Sequence, residues 1–353
     1  MIVGFLLPSR YNPASGIWRK VELQASKLRE HGARVIIFSF NGQSAASSCD
    51  HVHMPLQEGA SKEKQLRTLI EQIYKANVDI VYLRRELWHP AYRKLMRNLP
   101  VVAEINTLER VEFKQTMSPL RRLYAEITSV FWRRYPSGFV SVTEELAASV
   151  PKSKRRAVIS NGIPAPASAS GSTSVKPHLF FSGTGSYSWH GIDKFIQMAR
   201  TFPDWDFSFA GEFPQEKQHD LPGNFKSFGA LPAAEADQLL TTANIGVGTL
   251  ALHRKEMVEA CPLKLRSYLS YGLPSIIGYK DTDFSRGYSF ICQLENTENN
   301  IARGKEKIAQ FVNENYRRRI PWAEVSFASE SEKARLRYEF FESVSTDWKR
   351  GKR

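Results

Sequence analysis

Cysteine is scarce in this 353-residue chain: there are three, Cys49, Cys261 and Cys292, far apart and without a Cys-x-x-Cys pair. That spacing argues against a disulfide framework and against a thiolate zinc site. Long apolar runs are also missing. No stretch approaches the roughly 18 apolar residues that a membrane-spanning helix requires. The opening MIVGFLLPSRYNP lacks a basic start and breaks at Pro8, so it does not read as a signal peptide, and a cytoplasmic protein is expected. Acidic residues are the minority, 36 Asp and Glu against 49 Lys and Arg, and the net charge of +13 attracts anionic partners. Phosphorylated substrates, acidic lipid head groups and nucleic acid all qualify. Because no zinc-finger, RNA-recognition or basic-zipper signature is found, nucleic acid is not expected. What is present, 42% hydrophobic and 24% charged residues, suits a globular chain long enough for two domains.

The chain is organised around Glu259 to Tyr279, EACPLKLRSYLSYGLPSIIGY. Pro262 suits the first position of a helix, and Leu265, Tyr268 and Leu269 recur at helical spacing, so a helix is predicted to begin near Cys261 or Pro262. Gly272 ends it, Pro274 prevents its continuation, and Ser275 to Tyr279 reads as a short buried strand. Lys264 and Arg266 fall in the first turns, where the helix dipole favours negative charge. A phosphate bound at the helix start near Leu263 would remove that conflict; side chains turned to water would leave it harmless. Arg254, Lys255, Glu256 and Glu259 crowd the same place and favour a site. Cys261 stands at the helix start, either as a reactive thiol or only as the neighbour of a site.

Two similar halves surround this block. IVGFLL, a loop, a helix near Ile17 to His31 and a strand from Ala33 to Phe40 form a β-α-β unit, and Gly16 at the helix start lets backbone approach a phosphate. Further strands are predicted at 51–55, 78–84, 100–106 and 157–160, with helices over 62–76 and 118–135. The last of these carries Arg121, Arg122, Arg133 and Arg134 beside Leu120, Leu123, Ile127 and Phe131. It suits either packing on its own core or a place on acidic lipid. Residues 164–177, PAPASASGSTSVKP, read as a linker. From His178 the plan repeats, with GTGSYSWHGID leading from a strand into a helix.

These segments resemble glycosyltransferase family 4. The block matches the family's Glu, seven residues, Glu, small residues, Gly-x-Pro signature at Glu259, Gly272 and Pro274, but has Ser267 in place of the second glutamate. The resemblance implies an α/β chain of GT-B architecture, two doubly wound Rossmann-like domains facing across a cleft. Its implied limits are 1–163 for an acceptor-side domain, 178–335 for a nucleotide-sugar domain, and 336–353 for a helix crossing back. It implies a retaining glycosyltransferase in surface polysaccharide or glycoconjugate synthesis, moving a sugar from a UDP- or GDP-sugar to a glycan, lipid-linked glycan or other acceptor. Glu259 and Lys264 are then the catalytic candidates. Gly16, Gly183, Thr184, His190, Glu212, Arg254, Lys255, Pro262, Leu263 and Ser267 are the donor-side candidates. In the family, basic residues occupy the places of Thr184 and His190, so Lys264, Arg254 and Lys255, or a protonated His190, are expected to compensate. Glu104, Asn106 and Glu109 are acceptor-side candidates.

Asp281 and Asp283 are spaced like the metal-binding Asp-x-Asp of a different transferase fold, yet the resemblance implies no metal and no cofactor beyond the donor. Peripheral contact with an anionic membrane fits the basic helix. A sugar-nucleotide epimerase of the same fold, or a non-catalytic nucleotide-sugar-binding module, are the alternative readings.

Overall fold

The computed structural model describes residues 1–9, 15–40, 49–56, 59–167, 175–213, 215–285 and 287–351. The middle of the first predicted loop, the polar tract after Gly42 and most of the predicted linker lie outside the described residues. The chain forms two compact units, 1–160 together with 330–353, and 161–329.

In the first unit β1 (Ile2–Leu7) is the founding strand, with five of six residues buried. β2 (Arg34–Ser39) and β3 (Asp50–His53) follow on one side, while β4 (Ile80–Arg84), β5 (Val101–Ile105), β6 (Gly138–Ser141) and β7 (Arg155–Val158) follow on the other. The order β3-β2-β1-β4-β5-β6-β7 is parallel throughout, with Phe5 in register between Ile37 and Tyr82. Near-continuous apolar strands such as IVGFLL fit a parallel sheet covered on both faces. Parallel neighbours need crossovers, which are supplied by α1 (Gly16–Glu30), α2 (Lys62–Lys75), α3 (Pro90–Asn98), α4 (Glu109–Thr116), α5 (Pro119–Arg134) and α6 (Glu144–Ala147). The Ser15 side chain caps α1 by accepting from the Trp18 N–H at 3.2 Å, and Trp18, Val21, Ala25 and Leu28 carry its buried face.

α5 departs from ordinary core packing. Thr128 and Trp132 are its buried residues, whereas Leu120 (81% exposed), Leu123 (55%), Ile127 (64%) and Val130 (53%) form an apolar stripe open to solvent. Of the two readings the sequence left open, its own core does not cover this face.

The second unit repeats the plan with β8 (His178–Ser182), β9 (Asp206–Ala210), β10 (Phe225–Ser227) and β11 (Ile245–Val247). β12 (Glu259–Ala260) pairs with a later strand, and β13 (Ser275–Ile277) rejoins the main sheet. β14 (Lys280–Asp281) is the partner of β12, and β15 (Ile291–Gln293) is the sheet edge. The main sheet runs β10-β9-β8-β11-β13-β15, so the order reverses between β8 and β11 as it does between β1 and β4. Open α/β sheets bind ligands beyond the carboxyl ends of the strands at such a reversal. The helices are α7 (Ile192–Thr201), α8 (Ala233–Thr242), α9 (Leu263–Ser270), α10 (Asn300–Arg303), α11 (Lys305–Asn315) and α12 (Trp322–Val325). Phe181, Phe195, Phe207, Phe209 and Phe225 meet edge to face, with neighbouring rings 5.3 to 5.6 Å apart, and hold α7 against the sheet.

The last helix, α13 (Glu330–Gly351), returns to the first unit, where Ala334, Phe341 and Val344 enter the core. Gly138 admits it: a Cβ there would lie 3.1 Å from Val344 and 3.2 Å from Phe340. The units change over at 160/161 and 329/330, not at the predicted 163/164 and 335/336. Asn161 is drawn to the second unit because its backbone N–H donates to Cys261 Sγ at 3.2 Å and its side-chain amide donates to the Cys261 carbonyl. α13 starts earlier than its apolar periodicity suggests because Glu330 is buried in an ion pair with Arg337 at 2.8 Å.

Candidate functional site

Within the second unit, the loops after β8 and β11 meet at the reversal point. Gly183 follows β8, and its N–H donates to the Ala210 carbonyl at 3.0 Å. Gly185 donates to the Glu212 carbonyl, and Gly211 to the Gly229 carbonyl, both at 2.7 Å, so the loops after β8, β9 and β10 are locked by backbone alone. Gly211 has φ +139°, and a Cβ there would stand 1.7 Å from the Gly183 carbonyl oxygen. No side chain fits. Gly211→Ala is expected to cost about 2–5 kcal/mol of stability, measurable by denaturant unfolding, because backbone strain and steric overlap coincide at this position.

The β8 loop continues through a 3-10 turn, Ser188–His190, to Gly191, whose φ of +77° starts α7. Leu250 donates to the His190 carbonyl at 3.1 Å, joining this loop to the one after β11. Arg254 fastens the two further, donating to Asp193 at 2.9 and 2.6 Å, to the Ser188 carbonyl at 3.0 Å and to Glu298. The ion pairs keep it charged well above even the ordinary arginine range. Lys255 is buried with its ammonium 4.4 Å over the Trp189 ring, and Trp189 is stacked on Tyr187. Arg254 and Lys255, two of the residues suggested by sequence to compensate on the phosphate side, are therefore engaged in holding the loops.

α9 begins one residue later than predicted, with Pro262 as its N-cap and Leu263 first in the helix. One face of the helix, Leu265, Arg266, Tyr268 and Leu269, is buried; Lys264 and Ser267, three residues apart, lie half-buried on the other. The stem of Lys264 is partly exposed, but Nζ itself is shut from solvent and has no hydrogen-bond partner among the described residues. It lies 4.5 Å over the Phe181 ring and so close to Gly183 that a Cβ there would come within 2.9 Å of Nζ. Burial lowers the ammonium to about 7. His190 borders the same point: that Cβ would also lie 3.1 Å from His190 Nδ1. According to its tautomer, Nδ1 accepts from the Thr184 N–H at 3.1 Å or donates to the Thr184 carbonyl at 2.8 Å. Burial, then the neighbouring Lys264, pushes His190 down to about 3. It is neutral at pH 7 and cannot be the cation that the sequence reading considered.

Arg266 does not face a phosphate. Fully buried, it donates to Asp281 at 2.9 Å, Asp283 at 2.8 Å and the Asn161 carbonyl at 2.7 Å. That resolves its conflict with the helix dipole and gives the two aspartates a structural task. Among the described residues there is no cluster of three or more His, Cys, Asp or Glu suited to a metal. Cys261 belongs to the same knot, and burial raises its thiol to about 12, so it is not a reactive nucleophile. Glu259, on β12, accepts from Lys280 on β14 at 2.7 Å, with its side chain 12% exposed. Lys280 is thus one partner of Glu259.

Gly183, Thr184, His190 and Lys264 meet at one point; Pro262, Leu263, Ser267 and Glu259 belong to the adjoining helix and strand. Glu212 is exposed and contributes its carbonyl to the loop lock. The remaining candidates belong to the first unit. Gly16 is exposed at the start of α1. Glu104 is corrected outright. It is 4% exposed, accepting from Lys20 at 2.9 Å and Tyr82 at 2.7 Å, while Asn106 donates to it at 2.9 Å and accepts from Lys20 at 2.7 Å. Burial opposes its ionisation, but Lys20 and Arg84 hold it well below the usual carboxylate range. Glu104 is buried at the strand end and not open to an acceptor, while Asn106 beside it is half-buried and tied to Glu104 and Lys20. Glu109 instead lines a cavity. Spacing gave no sign of Phe181 beneath Lys264 or of the Asp193–Arg254–Glu298 tie; an aromatic on a buried strand and scattered charges carry no such signal.

No protein-family model matches the chain, and no curated protein does either. Solved structures do. A glycosyltransferase from Rickettsia africae superposes with a TM-score of 0.64 at 13% identity, covering 97% of this chain and 98% of that one. Sucrose-phosphate synthase from Thermosynechococcus elongatus gives 0.62 at 12% identity, covering 99% and 97%. HepE from Anabaena, in complex with UDP-glucose, gives 0.60 at 14% identity, covering 98% and 100%. The fold is that of the GT-B proteins, with two Rossmann-like halves.

Proposed function

We propose that this protein is a retaining glycosyltransferase that takes a sugar from a UDP- or GDP-sugar and passes it to a glycan or lipid-linked acceptor. The observation that carries the reading is the solitary, buried Lys264 Nζ against the side-chain-free surface of Gly183, beside the amino terminus of α9. A buried amine without a partner is costly unless something else pairs with it. A diphosphate supplies that partner, and the N–H groups at the start of α9 point the same way. Fold likeness to a protein crystallised with UDP-glucose supports the choice of donor class.

In this reading charge grows on the departing diphosphate as the sugar–oxygen bond breaks. Lys264 and the α9 amides then bind the transition state more tightly than the ground state. Glu259 orients the donor and supports positive charge at the anomeric carbon. The acceptor attacks the face from which the diphosphate leaves, and that phosphate takes the acceptor's proton. Ser267 offers a neutral hydroxyl to the nucleotide where a glutamate would accept more strongly.

A thermal-shift panel of UDP, GDP and ADP and their sugars tests the donor class. At a hundredfold excess over Kd, the matching nucleotide adds about 2.7 kcal/mol of stability and shifts the transition by several degrees. Failure of every nucleotide to shift it contradicts the proposal.

The open stripe of α5, flanked by Arg121, Arg122, Arg133 and Arg134, supports binding at an anionic membrane surface. None of these four arginines forms a salt bridge among the described residues. Leu123→Glu with Ile127→Glu is expected to abolish co-sedimentation with phosphatidylglycerol vesicles, and raised salt to weaken it in the parent protein. Among the described residues no helix is long and apolar enough to cross a membrane.

A further inference from the structure

A cavity of about 530 Å³ opens in the first unit beyond the carboxyl ends of β4 and β5, against α4 and α5. Its size is that of a small-molecule pocket, and all its lining residues belong to the first unit. Ile105, Leu108, Phe113, Leu123, Trp132 and Phe139 make its walls chiefly apolar. Three polar atoms in those walls, Trp132 Nε1, Thr107 Oγ1 and Arg85 Nε, are buried and have no hydrogen-bond partner among the described residues. Trp132 is 2% exposed. Arg85 Nε stands 3.0 Å from Glu109 Oε2 without the alignment of a hydrogen bond, and the guanidinium lies 5.7 Å from the Trp132 ring centre. A buried indole N–H ordinarily finds an acceptor, and a polar group orphaned in the interior is destabilising. The cavity thus combines chiefly apolar walls with an unspent indole N–H and hydroxyl, Arg85 being shared with Glu109, the complement of a molecule that is apolar along its length and carries an oxygen at one end.

Leu123 settles the kind of molecule. It lines the cavity and is also 55% exposed within the apolar stripe of α5, so hydrophobic surface continues from the outside of the helix to the interior. We propose that the cavity binds the chain and linking oxygen of a lipid acceptor, with Trp132 Nε1 and Arg85 donating to that oxygen and Leu123 at the threshold from the membrane. The assignment rests on the glycosyl-transfer reading and narrows its acceptor to a long-chain amphiphile. Glu109, which burial raises to about 7 against the pull of Arg85, adds a group able to donate or accept at the same end.

The test uses the full chain with decanol and decyl phosphate below their aggregation concentrations, and maltose as a sugar without a chain. Displacement of a fluorescent fatty-acid analogue reports binding, and UDP-sugar and GDP-sugar titrations run in parallel. The parent protein binds one decyl probe per chain. Ala125→Trp, which fills the cavity, weakens that binding at least about tenfold. Trp132→Phe, which keeps the ring and removes the N–H, weakens it about threefold to tenfold. Nucleotide-sugar affinity is unchanged in both variants. If Ala125→Trp proves unfolded by circular dichroism, Ser129→Phe on the same wall takes its place.

Absence of saturable decyl binding overturns the proposal, as do undiminished binding in the filled variants, equal binding by Trp132→Phe, or displacement by maltose. Binding of decyl probes without any nucleotide sugar would leave the lipid cavity standing and remove the transfer reading. The converse result would remove only the cavity assignment.

Discussion

Lys264→Met lowers turnover of the nucleotide sugar by about 10²–10³-fold, the usual effect of removing one preorganised donor to a growing negative charge. The same change raises the melting temperature of the unliganded protein. Both effects follow from one feature, an Nζ that burial lowers to about 7 while no hydrogen-bond acceptor among the described residues offsets the loss of water. In the unfolded chain lysine holds its proton to about pH 10.4. Between about pH 7 and 10 the unfolded state therefore binds more protons than the folded one, and stability rises with pH across that window. Methionine removes the buried amine and with it this slope. Its stabilising effect is greatest near and below pH 7 and shrinks toward pH 10. Thermal melts of both proteins across this range check the stability half of the prediction, and initial rates check the other. A residue that merely packed the helix would lose stability on substitution and show no such pH dependence.

Glu259→Gln lowers kcat by about 10²-fold or more with the melting temperature nearly unchanged. The amide keeps the carboxylate's shape and an oxygen for the Lys280 ammonium, so β12 stays paired with β14, while the negative charge is lost. If the only task of Glu259 were its ion pair with half-exposed Lys280, worth about 0–1 kcal/mol, two results would follow. Glu259→Gln would transfer sugar at the parental rate, and Lys280→Ala would match it in stability. The expected pattern is different: Lys280→Ala retains most of the activity and Glu259→Gln does not.

Much of the fold was legible because parallel strands are written as short apolar runs and crossover helices as apolar spacing of three and four. IVGFLL, VDIVYLR and the repeat from His178 place both reversal points, and Gly272 with Pro274 marks the end of α9. Helices α3, α4, α10, α11 and α12 were not anticipated. α4 buries one strong apolar contact, Val111, while Glu109, Arg110, Phe113 and Lys114 line the cavity, so its sequence has little periodicity to read.

The site was legible in part. Lys264 and Gly183 could be named from their positions, but the condition of Lys264 depends on Phe181 and His190, which tertiary structure brings to it. Arg254 and Arg266 were indistinguishable from Lys264 in sequence, since a basic residue at a helix start looks the same whether or not a carboxylate waits nearby. Asp193 and Glu298 engage the first, and Asp281 and Asp283 the second. For Glu104 and Asn106 the strand end was correctly located, yet the buried Lys20 facing them comes from α1, far away in the chain.

Proton uptake on donor binding tests the central claim most directly. A nucleotide sugar has a diphosphate esterified at both ends, so it does not itself titrate near neutrality. Calorimetric titration at pH 8, repeated in two buffers of different ionisation enthalpy, then counts the protons taken up by the protein. With Lys264 near 7 when free and paired with the diphosphate when bound, the account predicts uptake approaching one proton in the parent protein. Lys264→Met should take up none and bind far more weakly. Equal affinity in the two proteins, with no proton taken up by either, would contradict it.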